Sequence, residues 1–170
     1  TPLYGPAMQD DLIVQQPARA QRLVLLFHGV GSHASALLPL GQALAPHRAD
    51  ALIVSVQAPD AQGSGRQWFS VQGVTEANRP ARVAATMPRF VQAVREWQKA
   101  SGVVTASTTL IGFSQGAIMA LESTQTDHPP AGRVIALSGR FAQPPRVALK
   151  ATCVHLIHGD ADRVMPVHLA

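Results

Sequence analysis

The chain has a single cysteine, few aromatic residues and no long apolar run, and each of these shortages argues against one structural or functional feature. Cys153 has no partner for an internal disulfide, and we expect it to be a small buried side chain in a strand from Thr152 to Ile157. A lone thiol is compatible with the cytoplasmic location that we expect. Aromatic residues are 5% of the chain, too few for the stacking surfaces that bind nucleic acid. The sequence has no stretch of eighteen apolar residues, so no membrane span is predicted.

Acidic residues are also scarce, with ten against fourteen lysines and arginines, which gives a net charge of +4. The arginines are scattered singly from Arg19 to Arg163, and this spacing is typical of a solvated surface and not of a nucleic-acid site. Hydrophobic residues make up 46% of 170 residues, enough for the core of one domain. We find no repeat and no linker, so a single domain over residues 1–170 is expected.

The most informative stretch is Gly-x-Ser-x-Gly at residues 112–116, between an apolar β-branched run and a run of helix-forming residues. Strand, sharp turn and helix around a serine form a nucleophile elbow, with Ser114 exposed at its apex. Gly112 and Gly116 are expected to be required because strand and helix nearly touch beside the turn. The Ser114 hydroxyl would then lie above the helix N-terminus, whose N–H groups can bind an oxyanion.

Apolar runs alternate with helical patterns along the chain, which predicts an α/β fold with a mostly parallel sheet and helices on both faces. The runs 11–15 and 21–27 predict a hairpin, with its turn at Pro17. Pro88 is expected to kink or interrupt its helix near Ala84. Further strands are predicted over 51–57, 133–137 and 152–157, and helices over 35–46 and 79–101.

A glycine-containing loop, residues 28–32, follows the second apolar run and allows two interpretations. It fits a dinucleotide-binding fingerprint, but that fingerprint needs an acidic residue ending the next strand, and Asp50 precedes that strand. Alternatively, the two glycines let the backbone turn so that the N–H of Val30 faces the serine as an oxyanion donor. We expect His28 to orient the loop by hydrogen bonding.

Trp68 is the central residue of the only bulky apolar cluster in a long segment, residues 58–78, that is predicted to be irregular. Loops of this length within a compact domain are commonly functional. A tryptophan in such a loop either anchors it to the core or forms a wall of a substrate pocket. Both interpretations remain open at the level of sequence.

A serine nucleophile needs a base, and that base needs an orienting carboxylate. Asp160 and Asp162 come just after the strand that ends at Ile157, where such a carboxylate is expected. We choose Asp162 because Asp160 is closer to the strand and better placed to bond within its own turn. The alternative is a pair of solvated loop aspartates.

Four motifs in this order resemble the phospholipase/carboxylesterase family of α/β-hydrolases, which includes acyl-protein thioesterases, and most closely its YpfH-type esterases. The resemblance implies Ser114 as nucleophile, Asp162 as triad acid, and the N–H groups of Val30 and Gln115 as the oxyanion hole. It also implies Trp68 near the acyl pocket, and no metal or organic cofactor. The motifs are His28-Gly29-Val30-Gly31, Gln67-Trp68-Phe69, Gly112-Phe113-Ser114-Gln115-Gly116 and His158-Gly159-Asp160-Ala161-Asp162.

The family pattern continues for another strand and helix, and its catalytic histidine follows that strand. Here His168 is the only histidine downstream of the acid, six positions on and poorly placed to bridge Asp162 and Ser114. We therefore expect a fragment that lacks the last strand and helix, with the histidine beyond Ala170.

The function expected from the residues and the resemblance is that of a serine carboxylesterase. Such an enzyme would hydrolyse short acyl esters or thioesters through an acyl-enzyme, with a small ester or thioester as its substrate. One alternative is a catalytically inactive hydrolase-like domain that binds a ligand or partner. The other is a nucleotide-binding α/β domain.

Overall fold

A six-stranded sheet organises the part of the chain that this computed structural model describes, residues 8–159. Its strands are β1 (Leu12–Gln15), β2 (Arg22–Phe27), β3 (Ala51–Val56), β6 (Thr108–Phe113), β7 (Arg133–Leu137) and β8 (Cys153–Ile157). They lie in the order β1-β3-β2-β6-β7-β8, and all neighbours are parallel except β1, which is antiparallel to β3. The predicted mostly parallel sheet is therefore confirmed.

The predicted hairpin is wrong, because β1 pairs with β3 and not with β2. Leu12 lies opposite Ser55 and Ile13 opposite Val54 in this pairing. The strand β2 is buried along nearly its whole length and takes β3 and β6 as parallel neighbours. The short turn alone would favour pairing of β1 with β2. Because both sides of β2 are taken by β3 and β6, β1 pairs instead with the outer side of β3.

The carboxylate of Asp11 fastens this outer strand to the rest of the fold. It accepts hydrogen bonds from the backbone N–H of Gln57 at 2.9 Å and from the indole N–H of Trp97 at 2.7 Å. Burial raises the pKa of Asp11 to about 6, more than the two donors lower it. Asp11 is therefore a structural carboxylate that joins β1, the end of β3 and a helix on one face.

Helices cover both faces of the sheet, as predicted. On one face, α1 (Leu38–Leu44) and the 3-10 turn before it pack three leucines against β2 and β3. On the other face lie α2 (Arg79–Ser101) and α3 (Gln115–Ser123), which share the larger core cluster. None of the helices in the described range is long and apolar enough to cross a membrane.

The helix α2 has the predicted bounds and continues through Pro88, so of the two expected effects, a kink or an interruption, the interruption does not occur. Proline removes one backbone hydrogen bond from a helix. Here Met87 and Phe90, on either side of it, are buried in the core, and their packing holds the helix together across the missing bond. The stop at Gly102 is confirmed, since this residue has a φ of 73° and ends the helix.

Two further expectations are corrected by the structure. Cys153 is exposed and not buried, because it begins the outermost described strand, β8, where four of five side chains are exposed. The segment 58–78 is not wholly irregular, since it contains a short hairpin of β4 (Asp60–Gln62) and β5 (Gly65–Gln67).

Candidate active site

Ser114 is the single residue between β6 and α3, so the strand, turn and helix predicted around it are present. Its φ is 52° and its ψ is −112°, a strained combination for a residue with a Cβ. Its N–H donates to the carbonyl of Leu137 at 3.0 Å, which fastens the turn to β7. Its hydroxyl makes no capping bond to α3 and is half-buried at the carboxyl edge of the sheet.

Both glycines of the elbow are in contacts that leave no room for a side chain. A Cβ on Gly112 would lie 2.4 Å from the backbone carbonyl carbon of Gly116. A Cβ on Gly116 would lie 2.3 Å from the carbonyl oxygen of Phe27, on the neighbouring strand β2. The predicted close approach of strand and helix is confirmed at Gly112. At Gly116 the close partner is a different strand, which the local sequence does not indicate.

His28 orients the glycine loop, as expected. The ring is 1% exposed, its Nδ1–H donates to the carbonyl of Gly29 at 2.7 Å, and its Nε2 accepts from the N–H of Ala58 at 3.1 Å. An acceptor at Nε2 requires the neutral ring, and burial lowers the pKa of His28. With both nitrogens engaged, His28 is a structural residue and is not available as a base.

The structure brings Val30, Ser114 and the N-terminus of α3 together. Gly29 passes directly against the serine, since a Cβ there would lie 3.4 Å from the Cβ of Ser114. Gln115 is the first residue of α3, so its N–H has no partner within the helix. The N–H of Val30 has no acceptor in the described part of the chain. A cavity of about 300 Å³ beside them is lined by His28, Gly29, Val30, Ser32, Ala36, Leu37, Phe113 and Ser114.

Trp68 lies away from this cavity, in the core. Its ring is 3% exposed and packs against Phe27 and Phe90, at centroid distances of 6.3 and 5.1 Å. Of the two interpretations of this tryptophan, the structure supports the anchor. The remaining predicted site residues, Asp162 and the candidates Asp160 and His168, lie outside the described residues.

Asp50, the candidate for the dinucleotide fingerprint, lies at the wrong end of the sheet. It pairs with Arg22 at 3.3 Å, where β2 and β3 begin, whereas the glycine loop follows the end of β2. Within residues 8–159, no group of three or more histidine, cysteine or acidic side chains is arranged to hold a metal ion.

An ion pair that no sequence motif indicates joins two loops at the carboxyl edge of the sheet. The guanidinium of Arg140, which is 8% exposed, donates to both carboxylate oxygens of Glu76 at 3.0 and 2.9 Å. Arg79 also donates to Glu76 at 2.6 Å, and the two arginines hold the pKa of this carboxyl below its ordinary value. No sequence pattern links residues 64 positions apart, so no signal could have found the pair.

The side chain of Gln115 makes contacts that the sequence does not indicate, in addition to the predicted role of its backbone N–H. Its carboxamide is 3% exposed and hydrogen-bonds the backbone of Trp68 and Phe69. A glutamine after the serine and an aromatic cluster 46 residues earlier carry no local signal of this contact.

Strand order, helices on both faces and a serine held on a tight turn together define an α/β-hydrolase. Comparison with known families gives the same answer, since the model of the phospholipase/carboxylesterase family matches residues 8–170. The chain belongs to the phospholipase/carboxylesterase family, and it is a hydrolase.

Individual relatives are similar over most of the chain. Esterase YpfH of Escherichia coli (strain K12) is 54% identical over 159 residues, which cover 92% of this chain and 68% of that protein. Acyl-protein thioesterase 1 of Kluyveromyces lactis is 32% identical over 172 aligned positions, covering 89% and 73%. Among solved structures, esterase PE8 superposes with a TM-score of 0.81 at 32% identity, covering 98% of this chain and 79% of that one.

Proposed function

We propose that this hydrolase is a serine carboxylesterase that acts on short acyl esters or thioesters through an acyl-enzyme. The observation that carries the proposal is the strained elbow, which presents the Ser114 hydroxyl to a cavity shared with Val30. The similarity to an esterase and to an acyl-protein thioesterase supports the same class of substrate.

In the proposed reaction, the Ser114 Oγ attacks the acyl carbon, and the carbonyl electron pair moves onto its oxygen. The serine proton passes to a histidine that Asp162 orients, as the family resemblance implies. The N–H groups of Val30 and Gln115 stabilise the tetrahedral oxyanion. Its collapse breaks the bond to the leaving alkoxide or thiolate, which takes the proton from the histidine. Water then hydrolyses the acyl-enzyme by the same steps and regenerates Ser114.

The proposed preference for short acyl chains is supported by the size and chemistry of the cavity. Its volume is about 300 Å³, and the side chains of Ala36, Leu37 and Phe113 give it an apolar wall. An apolar wall of this kind suits a hydrocarbon chain, which gains free energy for each methylene removed from water.

A fluorophosphonate probe tests the nucleophile, because it reacts with a serine only where the hydroxyl is activated. We expect the full-length protein to be labelled at Ser114, as located by peptide mass spectrometry, and Ser114→Ala to be unlabelled. Ser138→Ala is the matched control, since Ser138 also has a positive φ, of 51°, at the same edge of the sheet, and its labelling should persist. Labelling that survives in Ser114→Ala would refute the assignment, and an unlabelled wild type would favour the inactive binding domain.

Leu37→Ala tests the chain-length preference. Removing this side chain enlarges the cavity, and we expect kcat/KM for p-nitrophenyl hexanoate relative to the acetate to rise about tenfold, the effect of one methylene in an apolar pocket. Leu40→Ala is the control, because Leu40 packs in the same core cluster but does not line the cavity. An equal shift in both variants, or none in Leu37→Ala, would contradict the proposed acyl site.

A further inference from the structure

The second strand of the short hairpin and the two residues after it contact both the glycine loop and the first residue of α3, which carry the proposed oxyanion donors. We call residues 65–69, which comprise β5 and the two residues after it, the brace. At one end, the N–H of Gly31 donates to the carbonyl of Arg66 at 2.8 Å, and the N–H of Arg66 donates to the carbonyl of Ser32 at 3.0 Å. The brace therefore pairs, like a short antiparallel strand, with the residues immediately after Val30.

The other end of the brace is held by the side chain of Gln115. Its Oε1 accepts from the N–H of Trp68 at 2.8 Å, and its Nε2 donates to the carbonyl of Phe69 at 2.8 Å. A primary amide has both a donor and an acceptor, so it can bind one N–H and one carbonyl of the brace at the same time. The residue that supplies one proposed oxyanion donor from its backbone thus holds the brace with its side chain.

The brace itself is held rigidly against the core. The Trp68 ring packs against both Phe27 and Phe90, and the hydroxyl of Thr86 on α2 donates to the Trp68 carbonyl at 2.8 Å. Contact with the glycine loop is so close that a Cβ on Gly65 would lie 2.0 Å from the carbonyl oxygen of Gly31. Any shift of the brace would therefore shift the glycine loop with it.

From these contacts we propose that the brace sets the separation of the Val30 and Gln115 N–H groups, and that the Gln115 carboxamide is a positioning residue. The proposal rests on the proposed function, since it concerns the oxyanion hole of that reaction. Donors in such a hole stabilise the transition state only when they are held in place beforehand. A displacement of about 1 Å costs about 100-fold in rate, so loosening the brace lowers kcat while the acyl cavity still binds substrate.

The test compares two variants that loosen the brace at opposite ends, in the full-length protein. Gln115→Ala removes both side-chain bonds, and Gly65→Ala pushes the glycine loop away. For each we expect kcat to fall about 10- to 100-fold with KM within about threefold of wild type. The Ki of an alkylboronic acid, which mimics the tetrahedral oxyanion, should rise by the same factor as kcat/KM falls.

Matched controls separate positioning from general loosening. Gln125 also holds a loop with its side chain, accepting from the N–H groups of Arg146 and Val147 at 2.7 and 2.8 Å, so Gln125→Ala should leave kcat unchanged. Gly63→Ala strains a glycine with a φ of 56° in the same hairpin but meets no atom within 4 Å, and it should lower the melting temperature without lowering kcat. Gln115→Glu keeps the acceptor for Trp68 and loses the donor to Phe69, and we expect an intermediate loss.

The proposal is overturned if kcat/KM and the Ki of the boronic acid stay within about threefold of wild type in both brace variants. It is also overturned if Gln125→Ala loses as much kcat as the brace variants do. Because Gly65→Ala leaves Gln115 intact, the test remains decisive if Gln115→Ala does not fold. Fluorophosphonate labelling tests whether Ser114 is activated independently of the brace. An unlabelled wild type defeats the proposed function, whereas a labelled wild type with fully active brace variants defeats only the role of the brace.

Discussion

Ser114→Ala is expected to lower kcat about 10⁴- to 10⁶-fold, the loss typical of removing a triad member. The oxyanion donors and the cavity remain, so KM should change much less. Ser114→Gly should lose the same activity but be more stable than wild type. The serine has a φ of 52° and a ψ of −112°, which glycine adopts without a steric penalty. We expect its free energy of unfolding in urea to rise by about 1–2 kcal/mol.

Ser123→Gly is the control for this stability change, because it makes the same substitution at a serine without a positive φ. Ser123 is the last residue of α3, and its buried hydroxyl donates to the carbonyl of Ala120 at 2.6 Å, so Ser123→Gly should lower the free energy of unfolding by about 1–2 kcal/mol. If Ser114→Gly is destabilised to the same extent, no strain is stored at the elbow.

Gly116→Ala is expected to lower the free energy of unfolding by about 3 kcal/mol. The added methyl group would lie 2.3 Å from the carbonyl oxygen and 2.7 Å from the carbonyl carbon of Phe27. Backbone atoms in a buried strand cannot rotate away as a side chain can. To relieve the clash, α3 must move off β2 and carry Ser114 with it, so activity should fall together with stability.

Gly41→Ala is the control for this prediction, since Gly41 is also a buried glycine within a helix. The nearest atoms to its added Cβ, at 2.8 and 3.1 Å, belong to the side chain of Val14. That side chain can shift by a few tenths of an ångström, and alanine favours the helix by about 1 kcal/mol over glycine. The variant should therefore remain within about 1 kcal/mol of wild type in urea. Equal losses in both variants would show that contact with backbone is not what makes Gly116 necessary.

Local patterns explain why much of the fold was predictable. The apolar stripe of α2 and the glycine after it lie within one contiguous stretch, and the helix has the predicted bounds, Arg79–Ser101. The strand β7 likewise has its predicted bounds, Arg133–Leu137. Periodicity and stop signals act between neighbours along the chain, so they can be read before the fold is known.

The predictions that the structure contradicts depend on contacts between segments that are far apart in the sequence. The pairing of β1 depends on which side of β3 is left free. Helix α2 survives Pro88 because residues from other elements pack against both of its halves. Each outcome depends on tertiary contacts between several segments, so no single stretch of sequence predicts it.

The candidate site divides in the same way. By itself, the sequence determined the elbow and the glycine loop, because the conformational freedom of glycine and the change from strand to helix formers are local properties of the chain. Only the tertiary structure decided that Trp68 anchors the brace, that the Gln115 side chain holds it, and that Arg140 pairs with Glu76. These hydrogen bonds of Gln115 and Arg140 join residues 46 to 64 positions apart, and they form only after the sheet has brought its loops to one edge.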